Sequence, residues 1–188
     1  MDRSEGIKLI LSRITDDLIV ANLGPTTFDL HFLGDRPENL YSWGGMGLVS
    51  SIALGIAVTV PSRRVIALDG DGSLLMNLGS LATIARQSPS NLIHIVWDNQ
   101  QWGETGGQPT HTAFHTDLSK VAEGAGIPNV SKTSTVEEFT TALELALSSE
   151  GPSCIVARIV EAGKADRPKE VEPNANLLRF RNSIGLTN

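Results

Sequence analysis

Residues 69–73 read Asp69-Gly70-Asp71-Gly72-Ser73, and further on the chain reaches Asp98-Asn99-Gln100-Gln101. Arg64 to Leu68, charged at the start and then apolar, predict a buried parallel strand. Gly70 and Gly72 allow a sharp turn at its carboxyl end and bring backbone N–H groups close to a ligand. Ser73 to Ala85 carry helical spacing, and Asn91 to Asp98 (Asn-Leu-Ile-His-Ile-Val-Trp-Asp) predict the next strand. A β-α-β unit of this kind sets Asp71 and Asn99 on neighbouring strand ends above one crevice. An aspartate, an asparagine and a glycine-lined helix start suit a Mg²⁺-bound phosphate.

Three other readings of the turn compete. A calcium-binding EF-hand loop fails on spacing, because its sixth position is Leu74 where glycine is required and its twelfth is Ser80 where glutamate is required. A dinucleotide fingerprint lacks its third glycine. A purely structural turn is open, but two aspartates at a buried strand end are costly unless a cation or hydrogen-bond donors compensate.

Working outward, the 188 residues fit one domain with a full core, and the net charge of −6 gives no electrostatic case for nucleic acid. No apolar run approaches the roughly 20 residues of a membrane span, so no membrane association is expected. The start, Met1-Asp2-Arg3-Ser4-Glu5, lacks the layout of a signal peptide. Cys154 is the one cysteine, which fits a reducing cytoplasm, and its strand setting argues for inert packing.

Helices are expected over Ser4–Ile14, from a cap at Thr26 or Thr27 to Leu33, and over Leu48–Val60, which Pro61 stops. Others are expected from Asp117 to Ala125, stopped by Gly126, and over Val136–Ser149, with Thr135 and Glu138 as a capping box. Strands are expected over Leu18–Asn22, Val130–Thr133 and Cys154–Ile159. Gln101–Thr116 is a long connection, and such loops are functional or mobile. Alternating strands and helices argue for an α/β fold, a doubly wound and mainly parallel sheet with helices on both faces, in a domain over 1–160. Residues 161–188 form a tail: an extended arm, a frayed end or an embrace of a partner chain.

The glycine turn, the helix and strand after it (roughly 25 residues, an ordinary β-α-β length) and Asp98-Asn99 together resemble the fingerprint of thiamine diphosphate enzymes. There the motif ends in two asparagines; here Asp98 stands at the first, and the metal-binding second is Asn99. The resemblance implies a thiamine diphosphate-binding fold of the diphosphate-side (PP) type. It also implies Asp71, Asn99 and the Gln101 carbonyl as Mg²⁺ ligands, with Gly70, Gly72 and Ser73 holding the diphosphate. Upstream, Trp43-Gly44-Gly45-Met46-Gly47 is similar to the family's segment around the cofactor's middle. Met46 resembles the wedge that bends the cofactor, and the Gly44 carbonyl, beside Gly45, would accept a bond from its aminopyrimidine. Trp102 and Gly103 continue the cofactor-side loop.

Tyr41–Gly47, Asp69–Ala85, Asp98–Thr110 and Asp117–Gly126 together resemble the beta subunit of sulfopyruvate decarboxylase and related phosphonopyruvate decarboxylases. The loop Thr105-Gly106-Gly107-Gln108-Pro109-Thr110 is narrower in distribution than the cofactor motif. What this implies is a 2-oxo acid decarboxylase component turning 3-sulfopyruvate into sulfoacetaldehyde and CO₂, a step of coenzyme M biosynthesis. The alternatives are phosphonopyruvate as substrate, another thiamine diphosphate carboligase or oxidoreductase component, and a non-catalytic scaffold. The family also needs a glutamate from a pyrimidine-binding domain. This chain corresponds to the other half, so a separate alpha subunit is implied, in a homo- and hetero-oligomer. Glu104 and His111 are the candidate catalytic groups within the chain, for substrate contact, proton transfer or anion binding. His115 is a weaker candidate of the same kind, and His94 is expected to be structural.

Overall fold

The structure, a computed structural model, describes residues 1–160, 167–168 and 172–186. The chain runs α1 (Arg3–Leu11), β1 (Leu18–Ala21), α2 (Pro25–Gly34), β2 (Asn39–Tyr41), α3 (Val49–Thr59), β3 (Val65–Gly70), α4 (Asp71–Leu75) and α5 (Gly79–Gln87). It continues through β4 (Leu92–Asp98), β5 (Gln101–Trp102), β6 (Gln108–Pro109), α6 (Leu118–Ala125), β7 (Asn129–Thr133), α7 (Val136–Ser148), β8 (Ser153–Arg158) and α8 (Pro173–Ser183).

Six strands form one sheet in the order β2-β1-β3-β4-β8-β7, all pairs parallel. Its central strands read as near-continuous apolar runs because both faces are covered. On one face Ile66, Leu68, Ile93 and Ile95 pack with Ile7 and Ile10 of α1, Leu30 of α2 and Phe139 of α7. On the other, Val65, Ala67 and Val96 pack with Val49 and Ala53 of α3, Leu81 and Ile84 of α5, Ala122 of α6 and Phe180 of α8. Each fully buried Leu, Ile or Val here contributes about 1.5–3 kcal/mol relative to exposure. The doubly wound parallel sheet expected from the sequence is the one observed.

Four details differ. Asn39–Tyr41, expected only as a lead-in, is strand β2 beside β1. The helix expected over Ser73–Ala85 is two helices, because Asn77 between them donates to Gly47 O at 3.1 Å and so ties the break to the glycine loop. The cap of α2 is Gly24, at φ 75, with Pro25 at the first helical position, while Thr27 Oγ1 donates to Asn22 O at 2.7 Å. Finally, Pro173–Ser183 of the expected tail form helix α8 rather than an extended arm. Asn176 there receives a bond from Tyr41 N at 3.0 Å and donates to Asn39 O at 2.9 Å. The expectation for 161–166, 169–171 and 187–188 lies outside the described residues.

Candidate active site

From β1 the chain crosses through α2 on one face, whereas from β3 it crosses through α5 on the other. The two connections part between the carboxyl ends of β1 and β3, the switch point at which open α/β sheets leave a crevice. A cavity of about 180 Å³ lies there. Asn22, Leu23, Pro25 and Thr26 border it after β1, Gly70 to Ser73 from β3, and Asn99 with Gln101 to Thr105 after β4. Met46 reaches it from the glycine loop, and Arg3 and Trp97 from the α1 side.

The glycine loop is fixed to the start of α4. Gly47 sits at φ +87, and a Cβ there would stand 3.3 Å from Ser73 O. Its N–H donates to Ser73 Oγ at 3.0 Å, so that hydroxyl keeps its own proton to donate elsewhere. Gly72 is needed for another reason. A Cβ on it would lie 2.6 Å from Trp102 Cζ3, because the indole packs onto the backbone at the α4 start.

Each of three aspartates at these strand ends has its own compensation. Asp69 is fully buried, accepts from Gly70 N at 2.9 Å and lies 3.2 Å from His94 Nε2 on β4. Asp71 Oδ2 accepts from Thr110 Oγ1 at 2.5 Å. Thr112 Oγ1 stands 3.1 Å from the same Asp71 oxygen and donates to Asp98 Oδ1 at 2.7 Å. Asp98 Oδ2 pairs with Arg158 Nη2 at 3.1 Å. Burial pushes the Asp71 carboxyl above its ordinary value; the Thr110 bond opposes this, and the nearby Asp98 charge reinforces it. Hydrogen-bond donors thus answer the cost of two buried aspartates in the turn.

The long connection after β4 is ordered by this network. Gln100 leaves the strand at φ 64, a strained conformation for a non-glycine residue and one that clusters at functional sites. Strands β5 and β6 then form a small hairpin, and Thr110 N returns to Gln100 O at 2.9 Å. Gln100 Nε2 also donates to Thr112 O at 2.8 Å.

Of the residues singled out from the sequence, the cavity brings together Met46, Gly70, Asp71, Gly72, Ser73, Asn99, Gln101, Trp102, Gly103 and Glu104. Gly44 and Gly45 are exposed beside Met46 without lining it. His111 opens a short 3₁₀ turn, is exposed and lies outside the lining, and His115 is exposed as well. Glu104 reaches back across the cavity, where its Cγ is 3.4 Å from a Cβ built on Gly24. Arg3, Asn22, Thr26, Thr110 and Thr112 are not among the site residues expected from the sequence. The breaker Asn22-Leu23-Gly24-Pro25 was the available signal for the second of these, since it ends the strand beside the glycine turn.

Among the described residues no group of three or more His, Cys, Asp or Glu is placed to hold a metal. One carboxylate, one amide oxygen and a backbone carbonyl form an open set, suited to a cation that arrives with phosphate oxygens and water. Asn22 Oδ1 is buried without a partner, and its amide can turn either oxygen or NH₂ toward a ligand. These residues fit a Mg²⁺-bound diphosphate. Among the described residues no helix is long and apolar enough to cross a membrane.

Residues 26–157 match the C-terminal TPP binding domain of thiamine pyrophosphate enzymes. A sulfopyruvate decarboxylase subunit beta from Methanococcus maripaludis is 40% identical, covering 98% of both chains. A phosphonopyruvate decarboxylase from Streptomyces hygroscopicus is 41% identical over 87% of this chain but only 40% of its own. Among solved structures, the thiamine diphosphate-dependent 4-hydroxybenzoylformate decarboxylase of Rhodococcus jostii RHA1 superposes with a TM-score of 0.69 at 26% identity. That superposition covers 85% of this chain, which spans a third, 33%, of the larger protein. The sheet, the switch-point cavity and this near full-length similarity agree: the chain belongs to the thiamine pyrophosphate enzymes, within the family of sulfopyruvate decarboxylase beta subunits.

Proposed function

We propose that the chain is the diphosphate-binding subunit of a thiamine diphosphate- and Mg²⁺-dependent decarboxylase acting on 3-sulfopyruvate. The observation that carries this reading is Asp71 and Asn99 facing one cavity at the switch point, in a chain that matches a beta subunit end to end. Bound thiamine diphosphate supplies the electron sink for loss of CO₂ from a 2-oxo acid. This chain's own part is to hold that group. Asp71, kept in one orientation by Thr110, would present its other oxygen to Mg²⁺ together with Asn99 Oδ1 and the Gln101 carbonyl. Gly72 N–H and the Ser73 hydroxyl would take the diphosphate, with Gly70 allowing its approach. Met46, at the cavity rim with Gly44 and Gly45, would support the cofactor's middle. Glu104, on the loop over the cavity, is the group in reach of substrate; His111 would act only from outside it.

The glutamate that activates the cofactor is absent from this half, so a separate pyrimidine-binding alpha subunit would supply it in a hetero-oligomer. The Streptomyces relative, more than twice as long, supports such a division of one activity into halves. The activity of that relative makes phosphonopyruvate the second substrate to try. Calorimetry on the two-subunit complex tests the site: Asp71→Ala should abolish Mg²⁺-dependent thiamine diphosphate binding, and unchanged binding would refute the assignment. Turnover of 3-sulfopyruvate, phosphonopyruvate and pyruvate by the same complex chooses the substrate.

A further inference from the structure

Among the described residues lining the cavity, Arg3 is the one cation, and Asp71 and Glu104 are the carboxylates. Its place is fixed by local chemistry. Asp2 caps α1, with Asp2 Oδ1 accepting from Glu5 N at 2.8 Å and Glu5 Oε2 accepting from Asp2 N at 2.8 Å. This capping box sets the first turn of the helix rigidly at the carboxyl edge of the sheet. From there the Arg3 side chain is buried, with Nε donating to Asp29 Oδ2 of α2 at 2.7 Å. A buried ion pair alone gives little net stability. A guanidinium oriented through Nε in a cavity wall, however, is weakly hydrated and matches oxyanions in geometry and charge.

Resting on the reading of the cavity given above, we infer that Arg3 is its oxyanion-recognising residue. The group it takes is tetrahedral, either the terminal phosphate of the diphosphate or the sulfonate of the substrate. Asp29 acts through Arg3 as a positioning residue.

The test uses the two-subunit complex carrying wild type, Arg3→Gln, Arg3→Lys or the double variant Arg3→Gln/Asp29→Asn. The double variant also neutralises the Asp29 carboxylate that Arg3 meets at 2.7 Å, which guards against misfolding. One arm measures binding of thiamine diphosphate against thiamine monophosphate. If Arg3 takes the phosphate, the preference for diphosphate falls roughly tenfold or more in both Gln variants, as expected on truncating one partner of a buried charged contact. The other arm measures kcat/KM for 3-sulfopyruvate against pyruvate. If Arg3 takes the sulfonate, that ratio falls by the same order while the cofactor preference holds. Arg3→Lys should recover part of whichever preference is lost. Both preferences intact in the double variant, or all ligands weakened equally, would overturn the inference. A wild-type complex that binds no thiamine diphosphate would instead refute the proposed function itself.

Discussion

Replacing Gly72 by alanine tests whether the indole of Trp102 is packed as a wall of the cavity. The new Cβ would meet Trp102 Cζ3 at 2.6 Å and Cε3 at 2.7 Å, about 1 Å inside ordinary carbon contact. The Trp102 backbone is held in the hairpin, where its carbonyl accepts from Gly107 N at 3.0 Å, so relief would require the indole itself to rotate off the α4 start. Overpacking of this kind costs about 1–3 kcal/mol. At about 2–4 °C per kcal/mol for a chain of this size, Gly72→Ala should lower Tm by about 2–12 °C. Trp102→Leu removes the ring atoms concerned, so the double variant should recover most of the loss introduced by the alanine. A double-mutant cycle in urea, on the cofactor-free chain, measures that coupling at about 1 kcal/mol or more. Additive costs for the two substitutions, or a Gly72→Ala chain as stable as wild type, would refute the packing described here.

Other expectations concern the buried polar groups. The folded Asp71 carboxyl holds its proton above the ordinary value of 3.8, through burial first and the Asp98 charge second. Above that ordinary value the folded cofactor-free chain binds more protons at this carboxyl than the unfolded one, so its contribution to stability falls as pH rises. Asp71→Asn should therefore gain on wild type as pH rises above the ordinary carboxylate value in urea titrations; parallel curves would count against the buried carboxylate. His94→Leu leaves Asp69 buried with Gly70 N–H alone and should cost about 3 kcal/mol, with much of it restored by adding Asp69→Asn. Denaturant midpoints check this, and an undiminished deficit in the double variant would argue against the pair. Burial pushes the Cys154 thiol up to about 12, with the Asp69 charge adding to it, so iodoacetamide should label the chain only after unfolding. Labelling of the folded chain at mildly alkaline pH would contradict that setting.

The sheet is readable because β3, β4 and β8 each carry a mostly apolar run, Val65–Leu68, Leu92–Trp97 and Cys154–Ala157, the pattern of strands covered on both faces. Asn39-Leu40-Tyr41 lacks that pattern, and its strand geometry comes from partners on β1 and α8 that local sequence does not name. The same limit applied at the site. Asp71 and Asn99 were legible because a β-α-β unit fixes their separation through secondary structure alone. Thr110 and Thr112 were not, since their bonds to Asp71 and Asp98 close a loop whose path no periodicity describes. Arg3 stands 68 positions before Asp71 and reaches the same cavity through tertiary packing that no local pattern describes. The Ser73–Ala85 helix misread has a local cause: Met76-Asn77-Leu78-Gly79 keeps helical spacing, and only the contact of Asn77 with Gly47 breaks it.

The amide of Asn176 has a consequence for assembly. β2 is the outermost strand on its side of the sheet, and such strands expose a ladder of donors and acceptors that invites another chain to add on. Asn176 accepts from Tyr41 N and donates to Asn39 O, which are the two bonds a neighbouring strand would make there. A single side chain, held by a helix clamped through the Arg179–Asp35 pair, thus acts as a one-residue surrogate strand. With that border sealed from within, a subunit joining this chain is steered away from strand addition at β2 and toward side-chain surfaces. Growth of the sheet from chain to chain, the route to aggregation, is blocked at the same place.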